Sequence, residues 1–143
     1  GAREFGNQCI VLGLDAKRRD ADCRFPSGYE VVIRGGRTPA GMDVVQWAQR
    51  AVELGAGEIC LNSIDADGAR DGYDLDITRQ VAEAVPVPVI ASGGAGTILH
   101  VRDAFTVGRA DAALIASMAH IDGRSCRDMK SELRTLGVPM RKS

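Results

Sequence analysis

The stretch Val89-Ile90-Ala91-Ser92-Gly93-Gly94-Ala95-Gly96-Thr97 decides the fold. It begins with apolar, partly β-branched residues typical of a short buried strand, and a helical pattern starts directly after the three glycines. A strand, a glycine turn and a helix start in this order bring free backbone N–H groups and the positive end of a helix dipole to one point, which suits a phosphate group. A tight turn without a ligand explains the same pattern equally well.

Three further segments repeat this order of apolar strand and amphipathic helix. The other strands are predicted at residues 8–14, 58–64 and 111–116, and the four helices at about 43–54, 74–85, 97–107 and 125–136. Asp15 and Asp65 each stand at the carboxyl end of an apolar strand. Four such units in a row predict parallel strands with right-handed crossovers and a ligand site at the carboxyl ends of the strands.

A small β-hairpin is expected after the first strand. Its arms are predicted at residues 23–25 and 29–33, around the turn Pro26-Ser27-Gly28 and before Gly35-Gly36. We expect this hairpin to be a loop excursion outside the core.

The length of the chain bears on its architecture. The chain has 143 residues, so we expect a single domain, 1–143, of α/β class. A closed eight-unit barrel needs at least about 200 residues. We therefore expect a TIM-barrel-like half barrel, (βα)4. Four parallel strands alone would leave two open edges and one apolar sheet face uncovered. The sequence therefore predicts pairing with another copy of the chain or with a second half barrel.

Composition excludes several classes of partner. A net charge of −1 and only 4% aromatic residues argue against binding to nucleic acid or to membrane surfaces. The sequence shows no signal peptide and no membrane-spanning run, so we expect a cytoplasmic protein. The four cysteines are scattered, without a C-x-x-C pair and with only two histidines, so neither a metal site nor a cofactor is expected. Cys9 and Cys60 are predicted to be reduced core residues.

A set of motifs resembles a known family. In chain order they are Asp15-Ala16-Lys17-Arg18, Gly55-Ala56-Gly57-Glu58-Ile59, Ser63-Ile64-Asp65-Ala66-Asp67-Gly68, Gly72-Tyr73-Asp74, Ala91-Ser92-Gly93-Gly94-Ala95-Gly96 and Ala116-Ser117. Together they resemble the cyclase subunit of imidazole glycerol phosphate synthase, over nearly the whole chain but only the carboxyl-terminal half of that (βα)8 barrel. The related phosphoribosyl-formimino isomerase shares the Ser-Gly-Gly turn, whereas the Ser-Ile-Asp-x-Asp-Gly loop favours the cyclase.

The resemblance implies an activity in histidine biosynthesis: ammonia-dependent closure of an imidazole ring on a bisphosphorylated ribonucleotide. Asp15 would be one member of a catalytic acid–base pair whose partner lies in the other half, so the chain alone is expected to be inactive. The residues implied to bind substrate, including one of its phosphates, are Asn62, Asp67, Ser92, Gly93, Gly94, Ala116 and Ser117. Glu58 would mark the ammonia entry from a glutaminase subunit, although a solvated acid at a strand start explains it equally well.

Departures from the family pattern keep a second hypothesis open. Asn62 and Ala69 stand where threonine is usual, and residues 117–121 lack the usual phenylalanines and the glutamate that follows them. The chain is therefore either the carboxyl-terminal half of a cyclase, or a free-standing, non-catalytic half barrel that self-associates and binds phosphate compounds.

Overall fold

A computed structural model describes residues 1–141, within which one sheet of six strands packs against helices. The strands are β1 (Val11–Arg18), β2 (Tyr29–Ile33), β3 (Thr38–Asp43), β4 (Glu58–Ser63), β5 (Val89–Ser92) and β6 (Ala112–Ala113). The helices are α1 (Ala2–Phe5), α2 (Val44–Glu53), α3 (Leu75–Ala84), α4 (Ile98–Thr106), α5 (Ser117–His120) and α6 (Cys126–Thr135). The order of the strands across the sheet is β3-β2-β1-β4-β5-β6.

The strands β1, β4, β5 and β6 run parallel, and helices connect them in chain order. The predicted α/β half barrel, (βα)4, is therefore confirmed. Two of its strands differ from the prediction: the first is shifted to Val11–Arg18, and the last is shorter. A 3-10 turn, Asn7–Cys9, delays the start of β1 to Val11, and only Ala112–Ala113 of the predicted strand 111–116 pair with β5.

Each of the four longer helices begins where its sequence signal places it. Asp43 accepts hydrogen bonds from the backbone N–H groups of Val45 and Gln46, and so caps α2. The predicted cap Asp74 accepts from Ile77 at the start of α3. Thr97 and Ser125 cap α4 and α6 in the same way. Short polar side chains that satisfy free N–H groups thus determine the beginnings of these helices.

The predicted hairpin exists, and its predicted arm at residues 29–33 is confirmed as β2, but the other arm and the turn were wrong. Its arms are β2 and β3, and the chain reverses at residues 34–37, where Arg34, Gly35 and Gly36 have positive φ. Residues 23–25 form a turn instead, in which Asp22 accepts hydrogen bonds from the following backbone.

The expectation that the hairpin lies outside the core was also wrong. β2 joins the sheet antiparallel to β1, and its residues from Tyr29 to Val32 are buried. The physical reason is the free edge of β1. β4 pairs with one edge of β1, so the opposite edge, from Asp15 to Arg18, offers hydrogen-bonding groups that β2 satisfies.

Only one face of the sheet is covered by helices. Buried side chains such as Leu14, Ile59 and Leu61 pack beneath α2 and α3, and a second buried cluster around Met118, Met129 and Leu133 continues the core below α4 and α6. Because side chains alternate along a strand, every second residue belongs to the opposite, open face.

The open face is partly exposed on β1 and beside β6. There Val11 on β1 and Leu114, directly after β6, are 51% and 47% exposed. Cys60 lies on this face and is partly buried, whereas Cys9 is exposed, contrary to the prediction that it is a core residue. No helix within residues 1–141 has the length and apolar character needed to cross a membrane.

Candidate functional site

Three polar side chains form a row across the carboxyl ends of the parallel strands. Asp15 on β1 pairs in register with Asn62 on β4, and Asn62 pairs with Ser92 on β5. All three belong to the open face, since their neighbours Leu14, Leu61 and Ala91 are buried on the helix side. The amide Nδ2 of Asn62 donates a hydrogen bond of 3.2 Å to Oδ1 of Asp15.

A pocket of about 390 Å³ elsewhere in the molecule is lined mainly by apolar side chains, whereas the pocket beside this row is called the polar pocket because Asp67, Arg70, Ser92 and Ser117 line it. The second pocket has a volume of about 250 Å³ and lies between the loops that follow β4, β5 and β6. Six of the residues predicted to bind substrate line it, namely Asp67, Ser92, Gly93, Gly94, Ala116 and Ser117. The fold therefore brings together residues up to 50 positions apart in the sequence.

Asn62 lies next to this pocket without lining it. A β-carbon built on Gly93 would lie 2.8 Å from Oδ1 of Asn62, so the amide borders the glycine turn directly. Asp15 is one strand further away. The row of polar side chains and the pocket thus form one continuous site at the carboxyl rim of the sheet.

The glycine turn has a structural role that the sequence did not show. Gly94 has a φ of +106°, and a β-carbon there would overlap the carbonyl oxygen of Gly72 in the loop after β4. The carbonyl of Gly94 accepts a hydrogen bond of 2.9 Å from the N–H of the same Gly72. The glycines therefore let two backbone segments pack together, which is the alternative that the sequence left open.

The turn still keeps free hydrogen-bond donors. The N–H groups of Gly93, Gly94 and Ala116 donate to no other group in the part of the chain that the structure describes. All three residues line the pocket. The turn can therefore pack against its neighbouring loop and also present N–H groups to an anion.

The loop of residues 65–74 is held from several sides. Asp65 accepts a hydrogen bond of 2.7 Å from the backbone N–H of Arg18, so this carboxylate orders the loop. The N–H of Asp67 donates to the carbonyl of Ser63, and the Tyr73 hydroxyl donates to the carbonyl of Leu114 across the pocket. Asp67 is thus placed on a restrained backbone.

A second cluster fastens the hairpin to this loop. The hydroxyl of Tyr29 donates to the carboxylate of Asp74 at 2.9 Å and accepts from Nη2 of Arg18 at 2.6 Å. Burial and the neighbouring Asp74 carboxylate raise the pKa of Tyr29 above its ordinary value. Tyr29 therefore stays a neutral donor, which suits a structural role rather than acid–base chemistry.

The amino end of the sheet carries Glu58. It pairs in register with Val11, four residues before Asp15 on β1, so the two carboxyl groups are separated by roughly 13 Å along the strands. Cys60 lies on β4 between Glu58 and Asn62, the residue that pairs with Asp15. Burial raises the pKa of its thiol, and the charges of Glu58 and Asp15 raise it further, so Cys60 is a poor nucleophile at neutral pH.

Comparison with known proteins decides the family. A family model described as histidine biosynthesis protein matches residues 1–123. The chain belongs to this histidine biosynthesis family. The resemblance to the cyclase-subunit family that the motifs predicted, with this chain as the carboxyl-terminal part, is thereby confirmed.

Individual relatives in the histidine biosynthesis family agree with this assignment. The chain is 57% identical over 141 residues to a protein of Desulfosudis oleivorans and 58% identical over 143 residues to one of Syntrophobacter fumaroxidans, both named imidazole glycerol phosphate synthase subunit HisF. These matches cover 99% and 100% of this chain, but 54% and 55% of the relatives. The chain thus spans about half the length of the curated relatives it matches.

Sequence reasoning missed one charged residue of the site, besides Gly68, Ala95 and Leu114. Arg70 lines the pocket together with Asp67 and Ser92. Its place in a polar loop without regular spacing gave no signal, because a single arginine between glycines is usually a solvated side chain. Among residues 1–141, no three His, Cys, Asp or Glu side chains lie close enough together to hold a metal ion.

Proposed function

We propose that this chain supplies the carboxyl-terminal half of a cyclase that closes an imidazole ring with ammonia on a bisphosphorylated ribonucleotide. The observation that carries the proposal is the in-register row of Asp15, Asn62 and Ser92 beside the polar pocket. The identity to proteins named imidazole glycerol phosphate synthase subunit HisF supports it.

In this proposal Asp15 transfers a proton at the reacting centre. It is one member of an acid–base pair, and a carboxyl group from the other half barrel is the second. Asn62 orients the Asp15 carboxylate through the hydrogen bond at Oδ1, which leaves Oδ2 for the substrate. The chain therefore lacks half of the proton-transfer machinery and is inactive by itself.

One substrate phosphate binds in the 250 Å³ pocket. The hydroxyl of Ser92 and the free N–H groups of Gly93, Gly94 and Ala116 provide the donors that phosphate oxygens require, and Ser117, whose hydroxyl donates to the carbonyl of Ala95, lines the same pocket. Asp67, whose side chain lies beside Gly93, contacts the substrate from the same pocket. The phosphate thereby fixes one end of the substrate, so that its reacting centre lies over the row that contains Asp15.

Complementation tests the cyclase proposal. Co-expression with the amino-terminal half of the Syntrophobacter fumaroxidans relative should restore ammonia-dependent ring closure, and Asp15→Asn should abolish it without preventing assembly. The matched control is Asp71→Asn, which removes an exposed carboxylate from the neighbouring loop. Stable assembly without activity, or full activity of Asp15→Asn, contradicts the proposal.

Glu58 marks the end of the sheet at which ammonia enters. Its carboxyl group lies at the amino end, opposite to Asp15, where a glutaminase subunit would deliver ammonia from glutamine. Glu58→Ala should therefore lower glutamine-dependent activity of the assembled enzyme with its glutaminase while sparing activity with added ammonia. Equal effects on both activities would assign Glu58 a purely structural role.

A second candidate function rests on the open face and edges. Val11 and Leu114 are half exposed, and within the described residues Val11 to Leu14 have no strand partner on the side of β2. A non-catalytic half barrel that self-associates would cover both features. Sedimentation of the isolated chain distinguishes the cases, because a stable, folded monomer contradicts self-association.

A further inference from the structure

Arg70 brings a positive charge to the pocket beside the row. Among the described residues that line the pocket, Arg70 is the one lysine or arginine, and it faces a lining that includes the carboxylate of Asp67. With a net charge of −1, the chain offers an anion no general attraction. A doubly charged phosphate ester beside Asp67 therefore needs a local cation.

The backbone holds Arg70 firmly at this position. Its φ is +60°, a conformation that an arginine rarely adopts, and a β-carbon on Gly96 would overlap its carbonyl oxygen. Gly96 thus lets the loop after β4 pack tightly against the turn after β5. The contact fixes the Arg70 backbone beside the pocket that the residue lines.

The guanidinium of Arg70 bridges two loops. Its Nη2 forms an ion pair with Oδ2 of Asp122, a residue 52 positions later that follows α5. The side chains of Arg70 and Asp122 are 36% and 34% exposed, so water screens the pair and its contribution to stability is small. In the described structure Nη2 is the one guanidinium nitrogen that donates, which leaves the other N–H groups for a ligand.

We infer that Arg70 is a specificity-determining residue that binds the phosphate group of the ligand, and that Asp122 competes with the ligand for its guanidinium. This inference deepens the proposed phosphate-binding function and rests on it. A planar guanidinium binds a phosphate through two parallel hydrogen bonds, and Asp122 occupies one of the donors, Nη2, until the ligand displaces it. Arg70 therefore selects dianionic phosphate monoesters over neutral or singly charged groups.

Calorimetric titration of the full chain with inorganic phosphate and glycerol 3-phosphate tests this inference. Arg70→Gln should weaken binding about tenfold, the effect of one charge-assisted hydrogen bond. The affinity of Arg70→Lys should lie between those of the wild type and Arg70→Gln. Asp122→Asn should strengthen binding by about threefold, because the competing charge is removed. The matched control is Arg102→Gln, whose side chain is also 36% exposed and pairs with Asp103 away from the pocket.

The outcomes separate the inference from the function on which it rests. If the wild-type chain binds neither probe, alone or with the amino-terminal half, phosphate binding and the role of Arg70 both fail. If the wild-type chain binds and Arg70→Gln binds equally well, only the inference is overturned. Weakened binding in Asp122→Asn, equal to that of Arg70→Gln, would also overturn it, because the pair would then merely hold the loop in place.

Discussion

Asn62 donates a hydrogen bond from Nδ2 to Oδ1 of Asp15 across the neighbouring parallel strands β4 and β1. The two side chains are in register, so this contact depends on the pairing of the strands and not on a flexible loop. The carboxylate that we propose as an acid–base group is therefore oriented by the sheet itself.

Loss of this hydrogen bond should reduce catalysis more than folding. In the assembled enzyme, Asn62→Leu should lower ammonia-dependent turnover about tenfold or more, since a hydrogen bond to a charged group contributes about 1.5–3 kcal/mol. Asn62→Thr is the matched control, because its hydroxyl can still donate. Steady-state kinetics measure the effect, and unchanged turnover in Asn62→Leu would show that Asp15 does not depend on its neighbour.

The glycine turn should tolerate no side chain at Gly94. Gly94→Ala combines a positive φ with an overlap against Gly72, whereas Gly68→Ala has a positive φ and open space within 4 Å. We expect Gly68→Ala to lower the free energy of unfolding by about 1–2 kcal/mol, and Gly94→Ala by about 2 kcal/mol more. Urea unfolding measures the difference, and equal losses would mean that the two loops do not pack as described.

Asp43 should contribute more stability than an ordinary helix cap. Besides capping α2, its buried carboxylate accepts hydrogen bonds from the N–H and the hydroxyl of Ser27. Asp43→Ala should lower the free energy of unfolding by about 2–4 kcal/mol. The control Ser125→Ala removes the exposed cap of α6 and should cost about 1 kcal/mol. Similar losses for both variants in urea unfolding would show that the bonds to Ser27 add nothing.

Glu30 should make stability fall at acid pH. Burial opposes ionisation, but hydrogen bonds from Arg19 and from the N–H of Gly41 outweigh it and lower the pKa of Glu30 below the ordinary 4.5. Its stabilising effect is therefore complete above the pKa of the unfolded chain and is lost as pH falls through the lower, folded-state pKa.

Glu30→Gln should accordingly flatten the dependence of unfolding free energy on pH between about pH 5 and pH 3. Chemical denaturation at a series of pH values measures the slope. Glu53→Gln, which removes an exposed carboxylate from α2, serves as the control and should leave the slope nearly unchanged. The prediction fails if the two variants have the same slope.

The alkylation rate of Cys60 should depend on the negative charge of Glu58, which lies on the same face of the sheet. Because Glu58 helps to raise the pKa of the Cys60 thiol, Glu58→Gln should increase its alkylation rate at neutral pH by about twofold or more. The measurement uses a chain in which Cys9, Cys23 and Cys126 are serine. Glu4→Gln, a change in the exposed helix α1, is the control. An unchanged rate in Glu58→Gln would show that its charge does not reach the thiol.

Local sequence signals predicted most of the parallel core. The caps Asp43, Asp74, Thr97 and Ser125 lie where polar residues precede an apolar helical pattern, and such signals act within a few residues. The motifs predicted the family, and family comparison confirmed it. The roles assigned to Asp15, Asp67 and Glu58 remain predictions.

Other features could not be predicted, because they depend on partners far apart in the sequence. One arm of the hairpin was assigned to residues 23–25, whereas β2, the other predicted arm, pairs with β3 on one edge and with the free edge of β1 on the other. The turn at Gly94 was interpreted through its N–H groups. Its packing against Gly72, 22 residues earlier, became visible only when both loops were in place.

The sequence by itself determined the four strand-and-helix units, their direction and the rim at which the polar residues gather, because apolar periodicity, capping and chain handedness are local properties. Only the tertiary structure decided that Asn62 orients Asp15 and that Arg70 reaches Asp122 beside the pocket. Those contacts join residues 47 and 52 positions apart, and their geometry follows from strand register and loop packing, which no local pattern encodes.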